Sequence, residues 1–203
     1  MDMEKTLKIL EQRFEGKDSR VRRGDLSFIS VPKKHAVESV MWMRDHGGFT
    51  HLVMISCVDR IEDGVFELVY LLNNPGERID IGVCVEISRD GAVMESMHHL
   101  WAGVRVYQRE MREMFGIDFP GSPGVEEPMI LEGWDDIPPM RRDFDTLEYA
   151  ERTYYPREGR STSDPATEME ERSYPLDAGV KRGIKDLARS GYSDKDSETK
   201  DEE

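Results

Sequence analysis

The chain is poor in the residues that build prosthetic-group sites. Its 203 residues include two cysteines, Cys57 and Cys84, which cannot by themselves hold an iron–sulfur cluster or a four-thiolate zinc. Basic residues are also in deficit: 28 Lys and Arg against 42 Asp and Glu leave a net charge of −14. That balance argues against electrostatic binding to nucleic acid or anionic lipid. No apolar run approaches the ~20 residues a membrane-spanning helix needs. The opening MDMEKTLKIL has neither an apolar signal core nor a small-residue cleavage site, which predicts an intracellular protein. Only 37% of residues are hydrophobic, so part of the chain is expected to add little to a core.

The charge is unevenly spread. Residues 109–150 hold 11 acids and 4 bases, half of the net charge in about a fifth of the length. Apolar spacing then predicts the elements. Met3, Leu7, Leu10 and Phe14 make one helical stripe closed by Gly16. Arg20–Arg23 and Leu26–Val31, joined by Gly24-Asp25, read as a hairpin. Pro32 opens a second helix through Arg44. Three strands follow, over His51–Val58, Val65–Leu72 and Arg78–Ile87, between the turn signals Glu62-Asp63-Gly64 and Asn73-Asn74-Pro75-Gly76. The first of these is almost continuously apolar, which predicts burial on both faces. A third helix is predicted over Met97–Phe115, with Arg105, Arg109 and Arg112 on one stripe and Glu110 and Glu113 able to pair with them.

The expected fold is therefore α+β, a mixed or antiparallel sheet with packed helices in the order α–ββ–α–βββ–α. It is expected to occupy residues 1–115. Residues 116–153, rich in Pro and Gly yet holding Phe119, Trp134 and Phe144, read as an extended arm. Residues 154–203 read as a mostly disordered acidic tail with a short amphipathic docking helix over 178–190.

A search for chemistry returns little. Gly47-Gly48 and Gly121-Ser-Pro-Gly124 lack the strand and helix that flank a nucleotide-binding turn. His98 and His99 are neighbours and diverge on a helix, and His46 and His51 have no thiolate or carboxylate cluster beside them. Cys57 and Cys84 lie in apolar runs and read as core thiols. Glu126 with Asp135 is the best available carboxylate pair for a stand-alone enzyme, and it lacks a rigid scaffold. A free-standing adaptor that binds peptides at its sheet edge is a further alternative.

The stretch Tyr107-Gln-Arg-Glu-Met-Arg-Glu-Met-Phe-Gly-Ile-Asp-Phe119 resembles the signature helix of the 30-kDa subunit of respiratory complex I. Arg109, Glu110, Glu113, Met114, Phe115, Gly116, Ile117 and Phe119 match it, as do Glu132-Gly-Trp134 and Pro139-Met-Arg-Arg-Asp-Phe144 downstream. Gly48-Phe-Thr-His-Leu52, Asp59 and Phe66-Glu-Leu-Val-Tyr70 match the family's sheet. The departures are Gln108 for the leading Glu, Ser122 for the His of a Gly-His-Pro turn, Val125, Glu126 and Glu127 for basic residues, and Ile137-Pro138 for a later Gly-His. They resemble the versions found in membrane-bound [NiFe]-hydrogenases and related ion-pumping complexes.

The resemblance implies a non-catalytic, cofactor-free subunit in the peripheral arm of such a complex, on the cytoplasmic side of the membrane. There it would pack on the large catalytic subunit, a hydrogenase-large-subunit homologue, beside the small subunit that holds an iron–sulfur cluster. The residues expected at that interface are Arg109, Glu110, Glu113, Phe119, Trp134, Arg141, Arg142, Asp143 and Phe144. The aromatics would serve as anchors, and the two adjacent arginines would pair with partner carboxylates.

Overall fold

The computed structural model describes residues 2–154. Helix α1, Met3–Arg13, begins where the Asp2 carboxylate accepts the Lys5 N–H, and it buries Leu7 and Leu10. Strands β1, Lys17–Arg23, and β2, Leu26–Ser30, form the hairpin. A single 3-10 turn, Lys33–His35, leads into α2, Ala36–Asp45. Strands β3, His51–Arg60, β4, Val65–Asn74, and β5, Ile79–Ser88, form the meander. Helix α3 spans Val104–Phe115. The α+β reading therefore holds, with five strands in the order β1-β2-β5-β4-β3 and only β2–β5 parallel.

One face of this sheet is the core. Phe66, Leu68, Tyr70 and Leu72 of β4 stand opposite Ile87, Val85, Val83 and Ile81 of β5. They are buried with Leu10 of α1, Val40 and Met43 of α2, and Met111 and Phe115 of α3. The alternation along β4 is what one covered and one open face require.

The structure corrects three expectations. β3 is an edge strand, with Val53, Met54 and Val58 exposed; the strand with a continuous buried run, residues 81–85, is β5, inside the sheet. An apolar run reports strand propensity, and position in the sheet depends on partners far away in sequence. α3 starts at Val104, not Met97. Met97 and Leu100 are buried from turns, and Gly103 stands at the helix entry. The unit also does not end at 115: Ile117, Phe119 and Val125 belong to the same core, and the unit extends to Thr146.

The division between the two units falls at Thr146, so α4, Thr146–Thr153, belongs to the second. In that helix Arg152 lies over the Tyr149 ring. The tail from 155 and the expected helix over 178–190 lie outside the described residues. Among the described residues, no helix is long and apolar enough to cross a membrane.

Candidate functional site: the signature helix and its arm

α3 ends because Gly116 takes a left-handed conformation (φ 74°) and returns its N–H to the Arg112 carbonyl at 2.9 Å. A Cβ here would also lie 3.2 Å from both the Arg141 guanidinium and Pro138, so the glycine keeps the arm close to the helix end. Asp118 then exchanges backbone hydrogen bonds with Ala92 and Met94, and Phe119 fills the core at 1% exposure. Phe119 is therefore an anchor inside the chain and cannot serve as a partner's contact.

Beyond Phe119 the arm folds back along α3, held by the charged residues of the signature. Arg109 donates from Nε to the Glu127 carbonyl and from Nη2 to the Pro128 carbonyl, at 3.2 and 2.9 Å. Arg112 donates to Asp118 at 2.7 Å and also pairs with Glu126. The Glu113 carboxylate accepts three consecutive N–H groups, from Met129, Ile130 and Leu131, at 2.8–3.1 Å. Burial alone would raise its pKa; these three donors and the Arg109 charge outweigh burial and hold it below the ordinary value of 4.5. An open cavity of about 320 Å³ remains between α3 and the arm, lined by Arg109, Glu113, Pro128, Leu131 and Trp134. Glu110 is half-buried, and among the described residues it has neither a hydrogen bond nor an ion pair, so its expected local pairing with the arginines is not made.

The second arm motif, Pro139 to Phe144, docks on the ends of β3 and β4. Asp59, its side chain 2% exposed, accepts two guanidinium hydrogen bonds from Arg89 at 2.9 and 3.2 Å and the Arg142 N–H at 2.9 Å. Burial pushes the Asp59 carboxyl up, but the Arg89 and Arg142 hydrogen bonds prevail and hold it below 3.8. Arg89 also donates to Asp143 at 2.6 Å. Arg141 donates from Nε to the Phe115 carbonyl at 2.7 Å and lies over the Phe66 ring. The Arg142 side chain pairs with Glu62 at 2.6 Å. The Trp134 and Phe144 rings meet at 5.5 Å.

The expected cross-interface arginines thus have carboxylate, carbonyl and ring partners within this chain. Sequence reasoning misses this because Asp59, Glu62 and Arg89 are more than fifty positions away. The matched Asp59 is the available clue.

Two departures from the signature also meet. The Ser122 hydroxyl donates to the Gln108 side-chain carbonyl at 2.6 Å, and Ser96 donates to the same oxygen at 2.7 Å. Gln108 is fully buried and Ser122 is 6% exposed. Where the signature places an acid and an imidazole, this chain holds a neutral amide–hydroxyl pair. Neutral partners avoid the desolvation cost of burying an ion pair.

The alternatives fare less well. Glu126 is engaged by Arg112, which removes one half of the carboxylate pair. The β3 edge is interrupted by a bulge at Val53, whose carbonyl accepts the Tyr107 hydroxyl, while Trp101 donates to the Thr50 carbonyl. Such capping discourages strand addition. Burial pushes both thiols up to about 12, and Cys57 and Cys84 lie on opposite faces of the sheet. Among the described residues, no group of three or more His, Cys, Asp or Glu side chains could hold a metal ion.

Comparison with known proteins agrees with this geometry. Residues 29–150 match the family described as the respiratory-chain NADH dehydrogenase, 30 Kd subunit. An NADH-quinone oxidoreductase subunit of Moorella thermoacetica is 31% identical over 63% of this chain and 86% of its own length. The corresponding NADH-quinone oxidoreductase subunit of Phenylobacterium zucineum is 31% identical over 79% and 78%. Among solved structures, a chain of the archaeal membrane-bound sulfane sulfur reductase, a respiratory membrane complex, superposes with a TM-score of 0.66. It shares 25% identity and is matched over 89% of this chain and 98% of that one. The trypsin-resistant fragment of Nqo5 shares the fold at a TM-score of 0.53 and 21% identity, over 61% and 98%. With its signature helix, the arm that helix holds and strands β3, β4 and β5 all inside the matched span, this chain belongs to the 30-kDa subunit family of the respiratory-chain NADH dehydrogenase.

Proposed function

We propose that the chain is a cofactor-free assembly subunit in the peripheral arm of a membrane-bound, energy-converting oxidoreductase, on the cytoplasmic side. It packs through its arm on the large catalytic subunit, next to the small subunit that holds an iron–sulfur cluster. One observation carries the reading: α3 commits Arg109 and Glu113 to the arm's own backbone. Because Arg109 and Glu113 hold the main chain of 127–131, Met129 and Ile130 stay exposed, Ile130 at 69%. Ile137 and Met140 are exposed further along. A pre-ordered segment with outward apolar side chains loses little entropy when a partner covers it. The contact residues of this reading are thus Met129, Ile130, Ile137 and Met140, with Glu110 available for a partner base. Arg109, Glu113, Arg141, Arg142 and Asp143 act as positioning residues, and Trp134 with Phe144 sets the bend between the two arm motifs.

The likenesses reach both a quinone-linked and a sulfur-linked complex, so the electron acceptor is left as quinone, protons or a sulfur compound. The test is to purify the affinity-tagged full-length chain from its native membranes in mild detergent and weigh the assembly intact. Co-purification of a large and an iron–sulfur subunit in fixed stoichiometry is expected. A chain that purifies alone overturns the reading. Iron–sulfur absorbance in the chain freed from its partners would overturn its cofactor-free part.

A further inference from the structure

The core face and the arm leave the opposite face of the sheet unaccounted for. There Phe28 of β2, Val69 and Leu71 of β4 and Met54 and Val58 of β3 share one side, by register with Gly82, Cys84 and Glu67. Phe28, Val69 and Leu71 are half-exposed and stand outside the core cluster, while Met54 and Val58 are exposed. The Phe28 ring lies across Gly82, where any Cβ would collide with it, which keeps the middle of the stripe low and flat.

The edge of this face carries a further feature. Lys17, Arg20 and Arg23 of β1 stand opposite Ser30, Phe28 and Leu26. At a spacing of three residues, side chains on a regular strand alternate between faces. Here two register shifts, one between Lys17 and Arg20 and one between Val21 and Arg23, return all three bases to the open face. Asp18, in the first shift, adopts a left-handed φ of 52°. Of the acids on the same face, Asp80 accepts a hydrogen bond from Asn73, and Glu67 and Glu86 share Arg60. Arg23 pairs with Asp25, whereas Lys17 and Arg20 have no ion pair among the described residues. In a chain of net charge −14, an apolar stripe is thus bordered along β1 by two bases, Lys17 and Arg20, that make no ion pair among the described residues.

We propose that this open face is a second docking surface, taken by a different subunit whose contact area sets apolar side chains beside carboxylates. The inference rests on the assembly-subunit reading but names a surface on the other side of the sheet from the arm. The chain is then a bridge, with one partner on the arm and another on the sheet. Apolar burial gives the contact its extent, and the basic border fixes register and rejects partners of the wrong charge. A basic edge strand can also serve only to prevent edge-to-edge pairing. Reversal of the charge separates the two roles, because Arg20→Glu with Lys17→Glu still leaves a charged edge.

Oxidative footprinting of the purified complex against the free full-length chain tests the surface. Met54 reports on the sheet face and Met140 on the arm. Oxidation of Met54 is expected to fall at least about fivefold on assembly, as for a thioether removed from solvent. Protection of Met140 without Met54 overturns this inference and leaves the assembly reading standing. Protection of neither overturns both. A water-soluble carbodiimide is expected to join Lys17 to a carboxylate of another subunit, and a link between two copies of this chain overturns the assignment. The double charge reversal is expected to weaken retention of that subunit about tenfold. Unchanged retention with unchanged solubility assigns the bases to edge protection alone and overturns the proposal.

Discussion

The sheet core and the arm occupy one compact unit but are held by different forces. Phe66, Leu68, Tyr70 and Leu72 are held by apolar burial, which is non-directional and tolerates exchange of similar shapes. From Glu126 to Phe144 the chain has no strand or helix of its own. Its place is set by Arg109, Arg112 and Glu113 at one end and by Asp59, Arg89 and Arg141 at the other. Directional contacts fix where a backbone goes, and burial fixes that it stays folded. A segment that must present its apolar side chains outward cannot also use them as its own core, so it has to be held by polar hooks.

The comparison can be broken most directly at Phe119. If the arm's first residues belong to the core, Phe119→Ala destabilises the free chain by about 3–5 kcal/mol in denaturant unfolding. A loss below about 1 kcal/mol would return Phe119 to the arm. Asp59→Ala comes next. It leaves Arg89 without its buried partner and removes the acceptor of the Arg142 N–H, at a cost of about 3 kcal/mol. Hydrogen exchange is expected to quicken at residues 140–144 first. Uniform quickening across β4 and β5 instead would mean that the hooks and the core are not separable.

The two arginines sharpen the contrast, since the sequence treats them alike. Arg141→Ala removes a carbonyl hydrogen bond and a contact over Phe66, worth about 1–2 kcal/mol together. Arg142→Ala removes an exposed pair with Glu62 and keeps its backbone bond to Asp59, so it is expected to move the melt less than Arg141→Ala does. Thermal melts of the two variants side by side give the order.

Acid offers a test without mutation. Asp59, Glu113 and Asp143 are all held below their ordinary values of 3.8, 4.5 and 3.8. A carboxyl depressed by folding adds stability that is complete above its unfolded value and is lost as pH falls through the depressed one. Exchange protection in the arm is therefore expected to be flat from about pH 8 to pH 5 and to fall below about pH 4. The apolar core contributes no such step. Equal acid loss in core and arm would contradict the division. A small effect is also expected from Trp134→Ala in the free chain, where the ring is half-buried against Phe144. A shift of about 1 kcal/mol is expected, with more lost from partner affinity than from the melt.

Much of this was legible in the chain, and for local reasons. Period-two and helical spacing located all five strands, the first two helices and the C-terminal end of the third within a few residues, because neighbours along a strand or helix report on one surface. Gly116 marked the end of α3, since a left-handed cap needs a residue without a Cβ. The signature residues Arg109, Glu113, Arg141 and Asp143 are expected from the sequence as contacts to another chain, and their partners within this chain are not legible there. Spacing alone fixes which residues are charged and roughly where they sit. It does not fix whether the opposing charge is Glu62 of the same chain or a carboxylate of another.

What the sequence determined by itself is therefore the set of elements, their apolar faces and the family signature, each written in residues a few positions apart. Tertiary structure alone decided that β5 lies inside the sheet and β3 at its rim, because strand order depends on pairings tens of residues apart. It alone brought Gln108 to Ser122 and Asp59 to the backbone of Arg142. It alone turned Lys17, Arg20 and Arg23 onto one face, since two bulges override the alternation that a regular strand would impose on residues three apart.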